Sequence, residues 1–494
     1  MFLNELVKPI VQKVVYGTLD IEVLDITEDS RKVRPGTVFL AIRGDHVDGH
    51  HYIEQAVARG AVGIIAEKKV EIASVTQVIV PSTHRIAALL AQLAFDYPTR
   101  AMTVVGVTGT NGKTTTTMLI EAILKRAGKK TGLIGTIVQR TSVGELRTSS
   151  MTTPPAIELT RTLREMRDLG TEYVAMEVSS HALEQGRVAG ISYRVAAFTN
   201  LTQDHLDFHQ TMERYARAKG KFFSRLGNSY DPLADGGLPV AVLNADDEQS
   251  DAYLAESVQQ VITYGMHHAA DVVATDVSIT ATGASFHLKT FAGSADLSIH
   301  TPGRFSVYNA LCATACCLGL GISLRTIVET LKDVPGVPGR FERVLAGQPY
   351  TIIVDYSHTP DSLLNALTTI HEFATNRVIT VVGCGGDRDK TKRPLMAQVA
   401  TEYSDLTVLT SDNPRTEDPE KILDDMEAGL SGRDAAYVRI VSREEGIRHA
   451  LMEAKAGDVV LIAGKGHETY QIIGTTYHDF DDRVIASEIV RGER

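Results

Sequence analysis

The stretch that most constrains this chain is residues 102–124. An apolar run, Val104-Val105-Gly106-Val107, leads into Thr108-Gly109-Thr110-Asn111-Gly112-Lys113-Thr114-Thr115-Thr116, after which apolar residues recur at Leu119, Ile120, Ile123, Leu124 and Ala127. The run reads as a strand, the glycines as a loop and the recurrence as one face of a helix. The glycines let backbone N–H groups turn inward on an anion. The helix adds the positive end of its dipole, Lys113 a point charge, and Thr114 a hydroxyl for a magnesium ion. A nucleoside triphosphate is expected here, held by Gly109, Thr110, Asn111, Gly112, Lys113, Thr114, Thr115 and Thr116. The usual phosphate-loop pattern has a glycine where this chain has Val107. The strand before and the helix after therefore carry the assignment.

At 494 residues the chain exceeds one core, and about three domains are expected. A hydrophobic content of 43% with 22% charged residues is that of a globular protein and excludes a disordered one. A net charge of -11 argues against a general nucleic-acid or anionic-membrane binder, so small-molecule partners, no nucleic acid and no membrane insertion are expected. Cys312, Cys316, Cys317 and Cys384 form no metal-like pair of pairs and read as reduced, buried thiols in a cytoplasmic protein. Glu5 and Lys8 interrupt any export-signal core at the start. The longest apolar run, near residues 310–322, is short of the ~20 residues that span a bilayer and reads as a core helix.

The fold class expected is α/β in three domains. Residues 1–99 alternate short strands with a helix near 52–59, giving a small N-terminal α/β domain. Its loops Asp29-Ser30-Arg31 and Gly44-Asp45-His46 sit at strand ends, where ligands bind in such sheets and where surface turns are equally at home. Residues 100–337 form a central domain with the phosphate loop and a mostly parallel sheet, strands falling near 132–135, 173–178, 195–199 and 240–243. Between 271 and 300 the pattern becomes short alternating strands, an antiparallel flap or edge. Two prolines and two glycines in residues 334–340 mark a linker. Residues 338–494 follow as a doubly wound, Rossmann-like unit with strands near 350–354, 378–382, 406–409, 438–441 and 459–463.

Glu177 closes an apolar strand and is followed by Val178-Ser179-Ser180-His181. A carboxylate there can hold nucleotide-bound magnesium, or can be a satisfied strand-end acid. The loop from Asn200 through Asp204, His205 and Asp207 to His209 gathers acids and histidines without cysteines, a pattern for a second magnesium rather than closed zinc. In the helix that follows, Lys219 and Lys221 read as a solvated face. No Gly-x-Ser-x-Gly elbow and no Asn-Lys-x-Asp motif occurs, which disfavours a serine hydrolase and a GTPase switch.

Taken together, Thr108 to Thr114, Met176-Glu-Val-Ser-Ser-His-Ala-Leu183, Asp204-His205 with Ala218-Lys219, Gly336-Val-Pro-Gly-Arg340, Val354-Asp-Tyr-Ser-His-Thr-Pro-Asp361, Gly383-Cys-Gly-Gly-Asp-Arg388, Asp412-Asn-Pro-Arg415 and Gly464-Lys-Gly-His-Glu468 resemble the Mur ligase family. Within it they are most similar to the branch that adds the third residue of the peptidoglycan precursor peptide. The resemblance implies ATP-dependent joining of a diamino acid, meso-2,6-diaminopimelate, to the D-Glu γ-carboxylate of UDP-MurNAc-L-Ala-D-Glu through an acyl phosphate. It implies ATP and Mg2+, and a carbamate on Lys219 formed from carbon dioxide. Thr114, Glu177, His205 and carbamylated Lys219 would be metal ligands, and Lys113, Glu177, His205 and Lys219 the catalytic set. Asn309, Arg340, Asp355 and His358 would complete the ATP site. Ser30, Asp45 and His46 would hold the UDP end, and Thr152, Thr153, Ser179, Gln185 and Arg187 the peptidyl end. Arg388, Asp412, Asn413, Pro414, Arg415, Gly464 and Glu468 would hold diaminopimelate. An arginine at 415 suits a distal carboxylate, which diaminopimelate has and L-lysine lacks. A monomer is expected. The alternatives are the same reaction with L-lysine, another Mur or folylpolyglutamate-type ligase, and a noncatalytic nucleotide-binding regulator.

Overall fold

The computed structural model describes residues 1–44, 47–144, 151–227, 233–432 and 434–494, with backbone alone at 146–148. Among the described residues three sheets carry the architecture, each with its own core. The first orders its strands Val14–Tyr16, Thr76–Ile79, Gly63–Ala66, Thr37–Leu40 and Asp25–Thr27, parallel except for Val14–Tyr16 at the edge. The expected helix is Ile53–Ala58, with the preceding residues Gly49–Tyr52 wound as a 3-10 turn, and helices Leu3–Val7 and Thr83–Ala94 stand in the same unit.

Among the described residues the central sheet has eleven strands. Its middle is parallel: Thr103–Thr108 lies between Tyr173–Glu177 and Tyr193–Phe198, both in parallel register with it. Strands buried on both faces read as continuous apolar runs, which is why these segments were legible. On one face pack helices Lys113–Arg126, Arg304–Gly319 and Leu324–Asp333, and on the other Ala156–Asp168 and Met212–Ser224. Helix Arg304–Gly319 touches both the sheet and Lys113–Arg126, so it is apolar all round and buries Cys312, Cys316 and Cys317. The segment expected as a flap is an antiparallel meander, Val272–Thr280, Gly283–Thr290 and Gly293–Ile299. Its strands of 9, 8 and 7 residues are longer than the expected short ones.

The third sheet orders Glu342–Val344, Thr351–Asp355, Val459–Ala463, Val378–Val382, Leu406–Leu409 and Tyr437–Arg439, parallel apart from Glu342–Val344. A separate hairpin, Tyr470–Ile473 with Thr476–Asp479, was not anticipated, since its residues are exposed or half-buried and lack a clean alternation. No helix among the described residues is long and apolar enough to cross a membrane.

The units are tied at defined points. Arg161 Nη1 lies 2.7 Å from both Asp25 carboxylate oxygens and its Nη2 donates to Ile26 O, joining the first unit to the second. Arg340 donates to Thr114 Oγ1 at 3.3 Å, and Asp361 Oδ2 accepts from Thr202 Oγ1 at 2.9 Å and Asn111 Nδ2 at 3.3 Å, joining the third unit to the phosphate loop.

Candidate active site

The strand Thr103–Thr108 delivers the chain into the glycine loop, and the helix opens at Lys113. A Cβ at Gly109 would collide with the Thr199 hydroxyl, and one at Gly112 with the Asn309 amide oxygen; both glycines also have positive φ. Only glycine fits at either point. The loop is braced from the neighbouring strand end: Thr110 N–H donates to Asn200 O at 2.8 Å, Asn111 N–H to Asn200 Oδ1 at 3.0 Å, and Thr199 Oγ1 to Asn111 O at 2.6 Å. Lys113 is half-buried and donates to Gly109 O at 2.9 Å and Thr110 O at 2.7 Å, folded back over its own loop. Desolvation pushes its ammonium below the ordinary lysine value, while Glu177 and Asp204 oppose the shift. Thr116 Oγ1 donates to Asn309 Oδ1 at 3.4 Å, placing Asn309 against the loop. Thr115 faces a crevice that it shares with Ser306, His300 and Gly336.

Glu177 ends the adjoining strand, buried, and accepts from Thr136 N–H at 2.8 Å and Thr136 Oγ1 at 3.1 Å. Lys219, expected on a solvated helix face, is 1% exposed and donates to Gly109 O at 2.7 Å, its Nζ 4.5 Å from the Tyr215 ring centre. Helix Met212–Ser224 packs on the sheet through that face, which periodicity alone assigned to solvent. Burial pushes Lys219 well below the usual lysine range, with Lys113 adding and Asp204 opposing. A neutral amine is the nucleophilic form of lysine. His205 holds φ +54 and lies 4.9 Å, ring to ring, from His181. Desolvation outweighs the opposing Asp204 carboxylate and, with smaller contributions from His181, Lys113 and Lys219, pushes His205 down to about 4, leaving a neutral ring.

The residues expected at the peptidyl end cluster beside Glu177. Thr152 Oγ1 is 3.0 Å from Thr136 Oγ1, and Thr153 Oγ1 donates to Glu177 O and accepts from Ser179 N–H. Ser179 caps helix Ser180–Glu184, and Arg187 holds Gln185 Oε1 and Thr153 O. Ser30 is buried in the first unit, donating to Gln55 Oε1 at 2.7 Å. Asp45 and His46 lie outside the described residues.

On the third unit Asp355 Oδ2 accepts from Phe341 N–H at 2.7 Å, just past the linker, and Oδ1 accepts from Ser357 Oγ. His358 Nδ1 lies 2.9 Å from Tyr356 O. Asp412 and Asn413 are buried after strand Leu406–Leu409, with Pro414 and half-buried Arg415 following. Arg415 has φ +53 and donates through Nη1 to Gly386 O at 2.9 Å. The hairpin holds it there, since Arg415 N–H donates to Ile472 O and Gly474 N–H to Arg415 O. Glu468 accepts from Asn413 Nδ2 at 2.8 Å, and Gly464 follows strand Val459–Ala463 directly. Arg388 is exposed, bonded only to Asp387 O among the described residues. Tyr356 follows strand Thr351–Asp355 in the same unit. Burial pushes its phenol up to about 12, and Glu468 and Asp412 add to this while Arg340 opposes. The Arg340 guanidinium sits 4.7 Å over the Tyr356 ring and also reaches Thr114.

The sequence reading missed Thr136, Thr202, Tyr356, Asp361 and Lys465. Tyr356, Asp361 and Lys465 stand inside recognised motifs, so position within a motif was the available signal. Among the described residues no three His, Cys, Asp or Glu side chains converge as a metal cage. Mg2+ asks for less, one or two protein oxygens completed by phosphates, and the Glu177 carboxylate with the Thr114 hydroxyl is a hard-oxygen set of that kind.

Residues 23–98 match the Mur ligase family catalytic domain, 107–317 the Mur ligase middle domain and 339–466 the Mur ligase glutamate ligase domain. The chain is 53% identical over 479 residues to the UDP-N-acetylmuramoyl-L-alanyl-D-glutamate--2,6-diaminopimelate ligase of Geobacillus thermodenitrificans, covering 97% of this chain and 96% of the relative. It is 50% identical over 486 residues to the ligase of the same name from Listeria innocua, covering 98% of each. A solved structure of a ligase of that name superposes with a TM-score of 0.69 at 32% identity, covering 100% of this chain and 99% of the other.

Proposed function

The chain belongs to the Mur ligase family, and on that premise we propose that it joins meso-2,6-diaminopimelate to the D-Glu γ-carboxylate of UDP-MurNAc-L-Ala-D-Glu, converting ATP to ADP and phosphate. The observation that supports this most is Arg340, which lies over the Tyr356 ring and donates to Thr114 Oγ1, joining the third unit to the phosphate loop. The third unit carries carboxylates at Asp412 and Glu468 and a guanidinium at Arg415, the complement of an amino acid's ammonium and carboxylate.

A carboxylate is a poor acyl donor because oxide would have to leave. Transfer of the γ-phosphoryl group to the D-Glu γ-carboxylate forms an acyl phosphate and releases ADP. The amine of diaminopimelate then attacks the carbonyl carbon, phosphate leaves with the former carboxylate oxygen, and the ammonium formed loses a proton to give the amide. Two anions must first meet, so Lys113 and the loop N–H groups bind and orient the phosphates. Mg2+ would be held by Thr114 and Glu177 at one position and by His205 and a Lys219 carbamate at another, supplying positive charge to the phosphates. Lys219, buried and with its ammonium form disfavoured, is suited to take up carbon dioxide, and neutral His205 keeps a lone pair free. Arg187, Gln185, Ser179, Thr152 and Thr153 hold the peptidyl end, and Ser30 with Asp45 and His46 the UDP end. Asn309, Arg340, Asp355 and His358 enclose the nucleotide. In this reading residues 1–99, 100–337 and 338–494 are the UDP-, ATP- and amino-acid-binding units of a cytoplasmic monomer.

The test is phosphate release with UDP-MurNAc-L-Ala-D-Glu, ATP and a panel of diamino acids. Turnover requires all three substrates and is fastest with meso-diaminopimelate. Phosphate release independent of the UDP-peptide would overturn the proposal.

A further inference from the structure

Lys465 has no part in the reading above, yet its side chain is fully buried just past strand Val459–Ala463, beside Asn413 and Glu468. Its Nζ donates to Asn413 Oδ1 at 3.1 Å and to Glu468 Oε2 at 3.0 Å. The Ile472 N–H donates to the same Asn413 oxygen at 2.9 Å. Two donors on Oδ1 fix the direction of the Asn413 amide, and its Nδ2 is left to donate to Glu468 Oε2 at 2.8 Å. Lys465, Asn413 and Glu468 thus close a three-membered ring in which both side-chain donors to Glu468 converge on one oxygen. Oε1 takes no hydrogen bond among the described residues, and the Glu468 side chain is 14% exposed.

We propose that Lys465 is a positioning residue for the amino-acid substrate. By anchoring Oε2 it presents Oε1 to the substrate's ammonium, and by anchoring Asn413 it fixes the loop that carries Arg415. A buried ion pair contributes little net stability over apolar groups of the same shape, so stability alone does not account for a lysine here. Without it, Glu468 keeps a single donor on Oε2 and can rotate. The inference rests on the reading that Asp412 to Arg415 and Glu468 hold the amino acid.

The test is Lys465→Met in the purified enzyme, which keeps the shape and removes the charge. The KM for meso-diaminopimelate rises about tenfold or more, the loss of a charge-assisted contact, while the KM values for ATP and UDP-MurNAc-L-Ala-D-Glu stay within about twofold. In a Glu468→Gln background the same substitution changes the KM for diaminopimelate by a clearly smaller factor than in the wild type, because only the route through Asn413 remains. Equal factors in both backgrounds, or a rise in all three KM values, would assign Lys465 to the fold and overturn the proposal. Where Lys465→Met does not fold, Lys465→Gln carries the same measurements, and weakened binding of all three substrates in it has the same meaning. If Glu468→Gln raises the KM and Lys465→Met does not, only this inference fails. If Glu468→Gln itself leaves the KM unchanged, the amino-acid site lies elsewhere and the underlying reading fails with it.

Discussion

Replacing Arg415 with alanine separates recognition of the amino acid from everything else in the enzyme. The guanidinium spends one nitrogen, Nη1, on Gly386 O at 2.9 Å, and it is half-buried beside Asn413. A carboxylate bound by its remaining N–H groups would lose charged hydrogen bonds of roughly 1.5–3 kcal/mol on truncation. At about 1.4 kcal/mol per factor of ten, the KM for meso-diaminopimelate rises about 10- to 150-fold. Alanine at φ +53 keeps the backbone strain, and the Ile472 and Gly474 backbone bonds persist. The fold therefore loses the Gly386 bond, about 0.5–1.5 kcal/mol, and the weaker 3.5 Å bond to Asn413 O, and Tm falls by a few degrees. Initial rates of phosphate release, with each substrate varied in turn, read the effect. The wild-type enzyme prefers diaminopimelate over L-lysine by about a hundredfold or more in kcat/KM, since lysine brings no distal carboxylate to the guanidinium, and Arg415→Ala narrows that ratio. Equal use of L-lysine by the wild type, or an ATP KM that rises as much as that for diaminopimelate, would refute the reasoning.

Lys113→Ala abolishes phosphate release; because Lys113 also ties Gly109 O and Thr110 O, circular dichroism should report an intact fold with a modest loss in Tm, and near-normal turnover would remove Lys113 from phosphoryl transfer. Lys219→Ala is inactive and partly rescued by acetate or formate, which supply the carboxylate a carbamate would provide; inactivity that neither anion rescues, or full activity without any addition, counts against the carbamate. Glu28 is pushed up to about 7, first by desolvation and then by Glu158 and Asp29, against Arg187 and Lys32. The folded state therefore holds that proton more tightly than the unfolded chain, and stability falls as pH rises from about 4.5 to about 7. Glu28→Gln raises Tm at pH 8 by an amount that shrinks toward pH 5, and an equal or negative change at both pH values would contradict this assignment.

The sequence by itself determined the elements whose evidence is local. Val378–Val382, Leu406–Leu409 and Val459–Ala463 were legible because doubly buried parallel strands need unbroken apolar runs. The phosphate loop was legible because Gly109 and Gly112 face groups that leave no room for a Cβ. Local pattern could not place the hairpin Tyr470–Ile473 and Thr476–Asp479, whose role is to hold Arg415 from a stretch more than fifty residues away. Nor could it bury Lys219, since a lysine on a helix of mixed polarity reads as solvated until the opposing surface is known. Tertiary structure alone decided that Lys219 meets Gly109 O across 110 positions of chain and that Arg340 reaches Thr114 across 226. It also closed the ring of Lys465, Asn413 and Glu468. The reason is physical: apolar periodicity records which face of an element is buried, whereas a polar side chain's environment is set by what the fold brings opposite it.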